Sequence, residues 1–371
     1  ALMVSLQSRS LNKKQKKAQT YFSDWTFVLQ LRLHRERDIM KLLISFLMIF
    51  QMICTNVEFY GKSYIVYDSL NQYVVEGRNI DYLQSVASIS KIMTAIVVIE
   101  NSRLDKKITV DETINKAYGS CVYIHIKDRI TIQDLLYGLM LRSGNDCALM
   151  LAKSVGGSVE RFVEMMNEKA RDIGMKQTHF SNPSGLDEED EGNLSTVKEM
   201  AILYRYCCQN PLFNQIVKTK EYKRLDGKGY WHNKNRLLKE YPYCVGGKTG
   251  YTKKAKRTLI TRAIKKQVDL IIVTFNCGND FEFHQKKYEE CFKNYEKLVL
   301  FDKGVRNIKG NWYLFENDLL MSKEKDESVS YLIHNEEMFI YRNQTYIKKI
   351  KLKRYRFRDF YLMILKDLVY E

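Results

Sequence analysis

A chain of 371 residues has room for one large domain and a smaller one around well-buried cores. Hydrophobic residues make up 45% of it, which excludes a disordered chain. The net charge of +16, from 60 lysines and arginines against 44 acidic residues, implies anionic surroundings: nucleic acid, acidic lipid or wall polymer.

Residues 1–39 form a basic N-terminal extension, with Lys13, Lys14, Lys16, Lys17, Arg32, Arg35 and Arg37, and are set outside the fold. Met40-Lys41 opens a segment, residues 40–56, whose apolar run 42–53 suits the core of a signal peptide. It is short for a spanning helix, which needs ~20 residues. The reading is an exported protein, with an uncleaved anchor as the alternative. Residues 57–299 and 300–371 then differ in character. In the first, 63–68 and 73–75 read as a strand pair turning at 69–72. Helical periodicity covers 88–101, 132–141, 146–154 and 159–173, and a capping box from Thr196 to Glu199 opens another helix. Strands follow at 243–252, 258–263 and 269–276, then a polar-faced helix at 281–298. Strands at both ends with helices between predict an α+β fold, one mixed sheet flanked by helices. From 300 onward, short strands at 312–315, 331–334, 338–341 and 346–350 predict a small β-rich domain. A basic run from Lys348 to Arg358 and a terminal amphipathic segment at 360–370 close the chain.

Of eight cysteines, Cys54 falls in the signal segment, and the rest are odd in number and lack framework spacing. Buried free thiols fit them better than disulfides. No C-x-x-C or H-E-x-x-H occurs and the six histidines are scattered, so no metal site is expected.

An acyl-transfer centre requires a nucleophile, a base for its proton, a proton source for the leaving group and donors for the oxyanion. Ser88 and Lys91 lie three apart at the start of a predicted helix, so both face one way within a turn. A buried lysine among other donors has a lowered pKa and serves as base, while the helix N-terminus favours negative charge at Ser88. S-x-x-K alone is a weak signal, since Ser10/Lys13, Ser195/Lys198 and Ser322/Lys325 also match. Only Ser88 opens a long apolar helix. Ser143-Gly144-Asn145 falls between two helices, where a loop projects into a cleft. Gly247-Lys248-Thr249 mimics the end of a P-loop, but Pro242 stands where that motif needs its first glycine, and no helix follows. A strand flanked by glycines is the better reading, with Gly250 leaving room for a ligand backbone.

S-x-x-K, S-x-N and K-T-G in this order mark the penicillin-recognising serine enzymes. The match extends to Ala87-Ser88-Ile89-Ser90-Lys91-Ile92-Met93-Thr94-Ala95, Leu141-Arg142-Ser143-Gly144-Asn145-Asp146 and Phe180-Ser181-Asn182-Pro183-Ser184-Gly185-Leu186. His232-Asn233-Lys234-Asn235-Arg236-Leu237-Leu238 and Gly246-Gly247-Lys248-Thr249-Gly250-Tyr251-Thr252 complete the series. Over about residues 57–298 the chain resembles the serine D-alanyl-D-alanine carboxypeptidases, the low-molecular-weight penicillin-binding proteins.

The resemblance implies a mixed helix/antiparallel-sheet penicillin-binding (β-lactamase-like transpeptidase) domain followed by a small β-rich C-terminal domain. It implies that Ser88 attacks the carbonyl between the terminal D-alanines and that Lys91 takes its proton. Ser143 would relay a proton to the leaving amine, and Asn145 would contact the substrate amide and Lys91. Lys248 and Thr249 would engage the terminal carboxylate, on a strand continued by Gly250 and Tyr251. The backbone N–H groups of Ser88 and Tyr251 would form the oxyanion hole. No cofactor is implied. The implied partners are a peptidoglycan stem peptide ending in D-Ala-D-Ala, β-lactam antibiotics and, through the C-terminal tail, an anionic membrane surface. Export removes nucleic acid, and the implied location is the extracellular face of the cytoplasmic membrane or the cell wall. Three positions depart from the family pattern: Ser184 and Asn193, where histidine is frequent, and Lys256, where glycine is usual. The alternatives are a class A-like β-lactamase, whose E-x-x-L-N loop is broken here at Glu191-Gly192-Asn193-Leu194-Ser195, and a catalytically silent wall- or membrane-binding protein on the same scaffold.

Overall fold

The computed structural model describes residues 59–187, 192–225, 227 and 229–356. The basic extension 1–39, the signal segment 40–56 and the amphipathic segment 360–370 lie outside the described residues. Among those described, no helix is long and apolar enough to cross a membrane.

The β-branched and aromatic residues of β1 (Ser63–Asp68) and β2 (Tyr73–Arg78) pair as an antiparallel hairpin. The Asp68 carboxylate holds its turn, accepting the backbone N–H groups of Leu70 and Asn71 at 2.9 Å each. Far along the chain, β3 (Cys244–Thr252), β4 (Lys256–Lys265) and β5 (Val268–Phe275) form a meander, and the sheet order is β2–β1–β5–β4–β3. Every neighbouring pair is antiparallel, so the sheet is not mixed in strand direction. The two hairpin units meet along β1 and β5, and no parallel crossover is needed.

The helices between are α1 (Lys91–Asn101), α2 (Ile132–Tyr137), α3 (Asn145–Gly156), α4 (Val159–Asp172), α5 (Val197–Cys207) and α6 (Pro211–Lys218). Eight consecutive residues of α1, Lys91 to Val98, are buried, as expected of a helix apolar on all sides. It packs against α3, α4 and α5. Side chains of β5 alternate: Ile271, Val273 and Phe275 enter this helical core, while Thr274 turns to α7 (Asp280–Asn294). There His284 bridges two strands, its Nδ1 2.7 Å from Thr261 Oγ1 and its Nε2 3.0 Å from Thr274 Oγ1. Burial lowers its pKa to about 3, so this histidine is a neutral core group.

Where the sequence predicts one helix over 281–298, α7 ends at Asn294 and the chain becomes β6 (Tyr295–Phe301). The reason is tertiary: β6 pairs in register with β9 (Leu319–Glu324), across β7 (Gly304–Ile308) and β8 (Asn311–Phe315) in sequence. A three-stranded sheet of β10 (Val329–His334), β11 (Glu337–Arg342) and β12 (Thr345–Lys351) completes the C-terminal part. Its own core gathers Ile308, Tyr313, Phe315, Met321, Met338, Ile340 and Leu352. The described cysteines are free thiols, buried except for half-buried Cys121 and Cys208.

Candidate active site

Residues 87–90 form a single tight turn before α1, so Ser88 stands just ahead of the helix and Lys91 begins it. Two contacts hold this turn. Thr258 of β4 donates its hydroxyl to the Val86 carbonyl at 3.0 Å. On the other side the 181–187 loop presses so closely that a Cβ at Gly185, where φ is +80°, would lie 2.1 Å from the Ala87 carbonyl oxygen. Only glycine fits there. Ala87 itself has φ +52°, a left-handed conformation adjoining the nucleophile.

A π-helical turn, residues 138–142, follows α2 and ends at Ser143, which is also left-handed at φ +67°. Such turns re-aim side chains, and here Ser143 is turned towards β3. Lys248 on β3 donates to Ser143 Oγ at 3.0 Å. Asn145 opens α3, and its backbone N–H donates to the Ser120 carbonyl at 2.7 Å. The neighbouring Asp146 carboxylate accepts the N–H groups of Val122 and Ile124 and so fixes the loop that carries Ser120.

Lys91 is wholly buried and joins the parts. Its Nζ lies 3.0 Å from Ser88 Oγ and 2.7 Å from Asn145 Oδ1, and it also donates to the Ser184 carbonyl. Burial, then the cation of Lys234, lowers its pKa to about 7. Lys248 is lowered well below its ordinary value, by burial first and then by Lys91 and Lys234. An amine neutral near pH 7 beside a hydroxyl is a base poised for its task.

Ser88, Ser143, Thr249, Gly250 and Tyr251 line one cleft of about 310 Å³, with Ser120, Lys234, Arg257, Asp280 and Phe281. At Gly250 a Cβ would sit 2.4 Å from Thr258 Oγ1 and 3.0 Å from the Ser88 nitrogen, so the strand passes tightly against the serine turn. Lys91 and Lys248 lie beneath this surface, and Asn145 lines a second, larger cavity instead. All eight residues singled out by sequence therefore fall in one neighbourhood, linked through the two lysines.

Sequence reasoning passed over Lys234, Ser120, Arg257, Asp280 and Phe281 as site residues. Lys234 had a signal, the His232–Leu238 segment quoted above. Arg257 had none, because its place beside Tyr251 comes from the register of β3 with β4. Its guanidinium is paired with Asp280 at 2.6 and 3.1 Å. Of the departures, Ser184 contributes a backbone carbonyl, which any residue supplies, and Asn193 braces the loop by accepting the N–H groups of Ser181 and Asn182. Lys256 keeps the conformation glycine favours, at φ +57°. Among the described residues no group of three histidines, cysteines or carboxylates could hold a metal ion.

Comparison with known proteins bears on this arrangement. A D-alanyl-D-alanine carboxypeptidase, DacF, of Bacillus subtilis is 31% identical over 255 residues, covering 66% of this chain and 65% of that protein. The chain thus spans about two thirds of that relative's length. A D-alanyl-D-alanine carboxypeptidase of Mycobacterium tuberculosis is 33% identical over 214 residues, 57% of this chain and 73% of its own. Penicillin-binding protein 5 of Haemophilus influenzae superposes with a TM-score of 0.71 over 81% of this chain and 98% of its own, and at 22% identity it supports the fold alone. A carboxypeptidase crystal structure from M. tuberculosis gives 0.61 at 28% identity, over 64% of this chain and 92% of its own. The family model described as D-alanyl-D-alanine carboxypeptidase matches residues 51–279, and with it the chain belongs to that family of serine peptidases, the low-molecular-weight penicillin-binding proteins.

Proposed function

We propose that the protein removes the terminal D-alanine from peptidoglycan stem peptides through an acyl-enzyme on Ser88. The observation that carries this reading is the fully buried Lys91 amine 3.0 Å from Ser88 Oγ, with its pKa lowered to about 7. Neutral Lys91 accepts the Ser88 proton as Oγ bonds to the carbonyl carbon of the penultimate residue. The oxyanion forms against the backbone N–H groups of Ser88 and Tyr251. As the C–N bond breaks, the leaving amine takes a proton relayed through Ser143, which Lys248 contacts. Thr249 and the Lys248 cation hold the departing residue's carboxylate, whose charge offsets the burial that disfavours ionised Lys248. Water then attacks the ester, and the Ser88 hydroxyl and the shortened peptide are restored. A β-lactam enters by the same route, and its ring opening leaves no departing fragment.

A class A-like β-lactamase needs an added glutamate to activate the deacylating water. The E-x-x-L-N pattern that would carry it is broken here at Ser195, and the Asn193 side chain is occupied by backbone groups. This favours a long-lived penicillin adduct. The complete set of reacting groups likewise favours an active enzyme over a silent one. The reading includes export and attachment of the C-terminal tail to an anionic membrane. In the basic run Lys349 pairs with Glu337 and Lys353 with Glu316, and we assign the attachment to the terminal segment. Equal pelleting with anionic liposomes with and without residues 355–371 removes that attachment. Mass spectrometry tests the activity: loss of one alanine from a D-Ala-D-Ala peptide and a covalent penicillin adduct on Ser88 are expected. An uncleaved peptide with no adduct overturns it.

A further inference from the structure

The π-turn that aims Ser143 is an unfavourable conformation on two counts. One carbonyl, that of Gly138, accepts the backbone N–H groups of both Ser143 and Gly144, and Ser143 itself is left-handed at φ +67°. Backbone of this kind persists only where its surroundings over-determine it. A short hairpin, Glu221–Lys223 against Tyr230–His232, supplies those surroundings. Buried Trp231 lies so close over Gly138 that a Cβ there would meet Cη2 and Cζ3 of the indole at 3.2 Å each, and Cys147 Sγ of α3 at 2.7 Å. Three residues past Trp231, the Lys234 N–H donates to the Leu141 carbonyl at 3.1 Å, within the same turn.

The indole is itself held in place. Tyr222 stacks on Tyr137, the last residue of α2, with ring centroids 3.7 Å apart and an angle of 7° between the planes. Its centroid lies 6.3 Å from that of Trp231, and the Arg224 guanidinium covers the indole at 5.0 Å. The buried Asp134 carboxylate of α2 accepts the Tyr222 hydroxyl at 3.0 Å and the Leu225 N–H at 2.9 Å. These bonds fasten the hairpin to the helix that leads into the turn.

We propose that Trp231 is a positioning residue for proton transfer: pressed on Gly138 by the hairpin, it holds the π-turn in the shape that delivers Ser143 to the leaving amine. Trp231 does not line the cleft, so it acts through Ser143. This rests on the relay role proposed for Ser143. Without the indole the turn relaxes, and Ser143 Oγ leaves its place 3.0 Å from Lys248 Nζ. Breaking a bond then slows wherever the leaving group must take a proton. A thiolate departs without one, so a thioester escapes that loss.

Two substrates test it, a peptide ending in D-Ala-D-Ala and its thioester analogue, in which sulfur replaces the nitrogen of the scissile bond. Trp231→Ala should lower kcat/KM about 10²-fold for the amide and less than about threefold for the thioester, and Trp231→Phe should restore most of the amide rate. Tyr222→Phe keeps the stacked ring and loses only the bond to Asp134. It should lower the amide-to-thioester ratio about threefold, and it decides the matter if the alanine variant does not fold. An unchanged ratio in either folded variant overturns the proposal, because an indole that only supports the fold would slow both substrates alike. Ser143→Ala separates the brace from the relay. If it leaves the ratio unchanged, the relay fails and the brace with it; if it lowers the ratio and Trp231→Ala does not, the brace alone fails.

Discussion

Acylation of Ser88 by a fluorescent penicillin should rise about tenfold per pH unit from about pH 5 and level off above a bend near the Lys91 pKa of about 7. The base is the neutral amine, so the rate follows the deprotonated fraction. With its pKa at about 7, about half of the Lys91 amines are neutral at neutral pH; an ordinary lysine would offer roughly 3 in 10,000, a difference on the order of 10³ in rate. Lys91→Arg keeps a cation at the site but cannot give up its proton, so acylation should fall by about 10³ or more at every pH. Stopped-flow fluorescence across the pH range, read as the second-order acylation rate, checks both. A rate still climbing without a bend beyond about pH 9, or an arginine variant within tenfold of wild type, would refute the reasoning. Stability carries the complementary signature. Between about 7 and 10.5 the unfolded chain binds a proton at Lys91 that the folded protein does not, so stability rises with pH across that window and the penalty is complete below it. At about 1.4 kcal/mol per pH unit the ceiling on this penalty is about 5 kcal/mol. Lys91→Met should therefore be inactive yet melt at a higher temperature than wild type at about pH 6.

Lys234→Met removes a cation that acts on Lys91 after burial, so the acylation bend should move to higher pH; an unmoved bend means that Lys234 does not tune the base. Gly250→Ala places a methyl 2.4 Å from Thr258 Oγ1 and 3.0 Å from the Ser88 nitrogen, and acylation should drop by about 10² while the fold survives by circular dichroism. Lys256→Gly relieves a left-handed backbone at φ +57° and should raise the unfolding free energy by about 1 kcal/mol in urea titration. A loss of stability would mean that the lysine side chain contributes more than its backbone conformation costs.

Local chemistry was legible where a motif and its element coincide. The apolar run after Ser88 foretold a buried helix, and the Thr196–Glu199 pair foretold a cap, with the Thr196 side chain accepting the Glu199 N–H at 3.1 Å. Tertiary pairing was not legible. Nothing in Tyr295-Glu296-Lys297-Leu298 separates the end of a helix from a strand until β9 lies alongside it. The same holds for Arg257, which reaches the cleft through strand register, and for Ser143, whose orientation depends on a π-turn that helical periodicity does not distinguish. Lys234 lay in plain view but had no evident chemistry until its charge was set beside two buried amines.

The hydroxyl of Thr258 and the bare α-carbon of Gly250 together rivet the serine turn to the central meander. Prying the K-T-G edge away from the serine would also rupture the bond to Val86, a lasting loss inside a closed interior. Room for a bulky ligand must therefore come from the opposite bank, where the segment around Gly119 is moored by the Asn145 backbone N–H and the Asp146 carboxylate and lies mostly in solvent. The pocket is a vice with one fixed jaw.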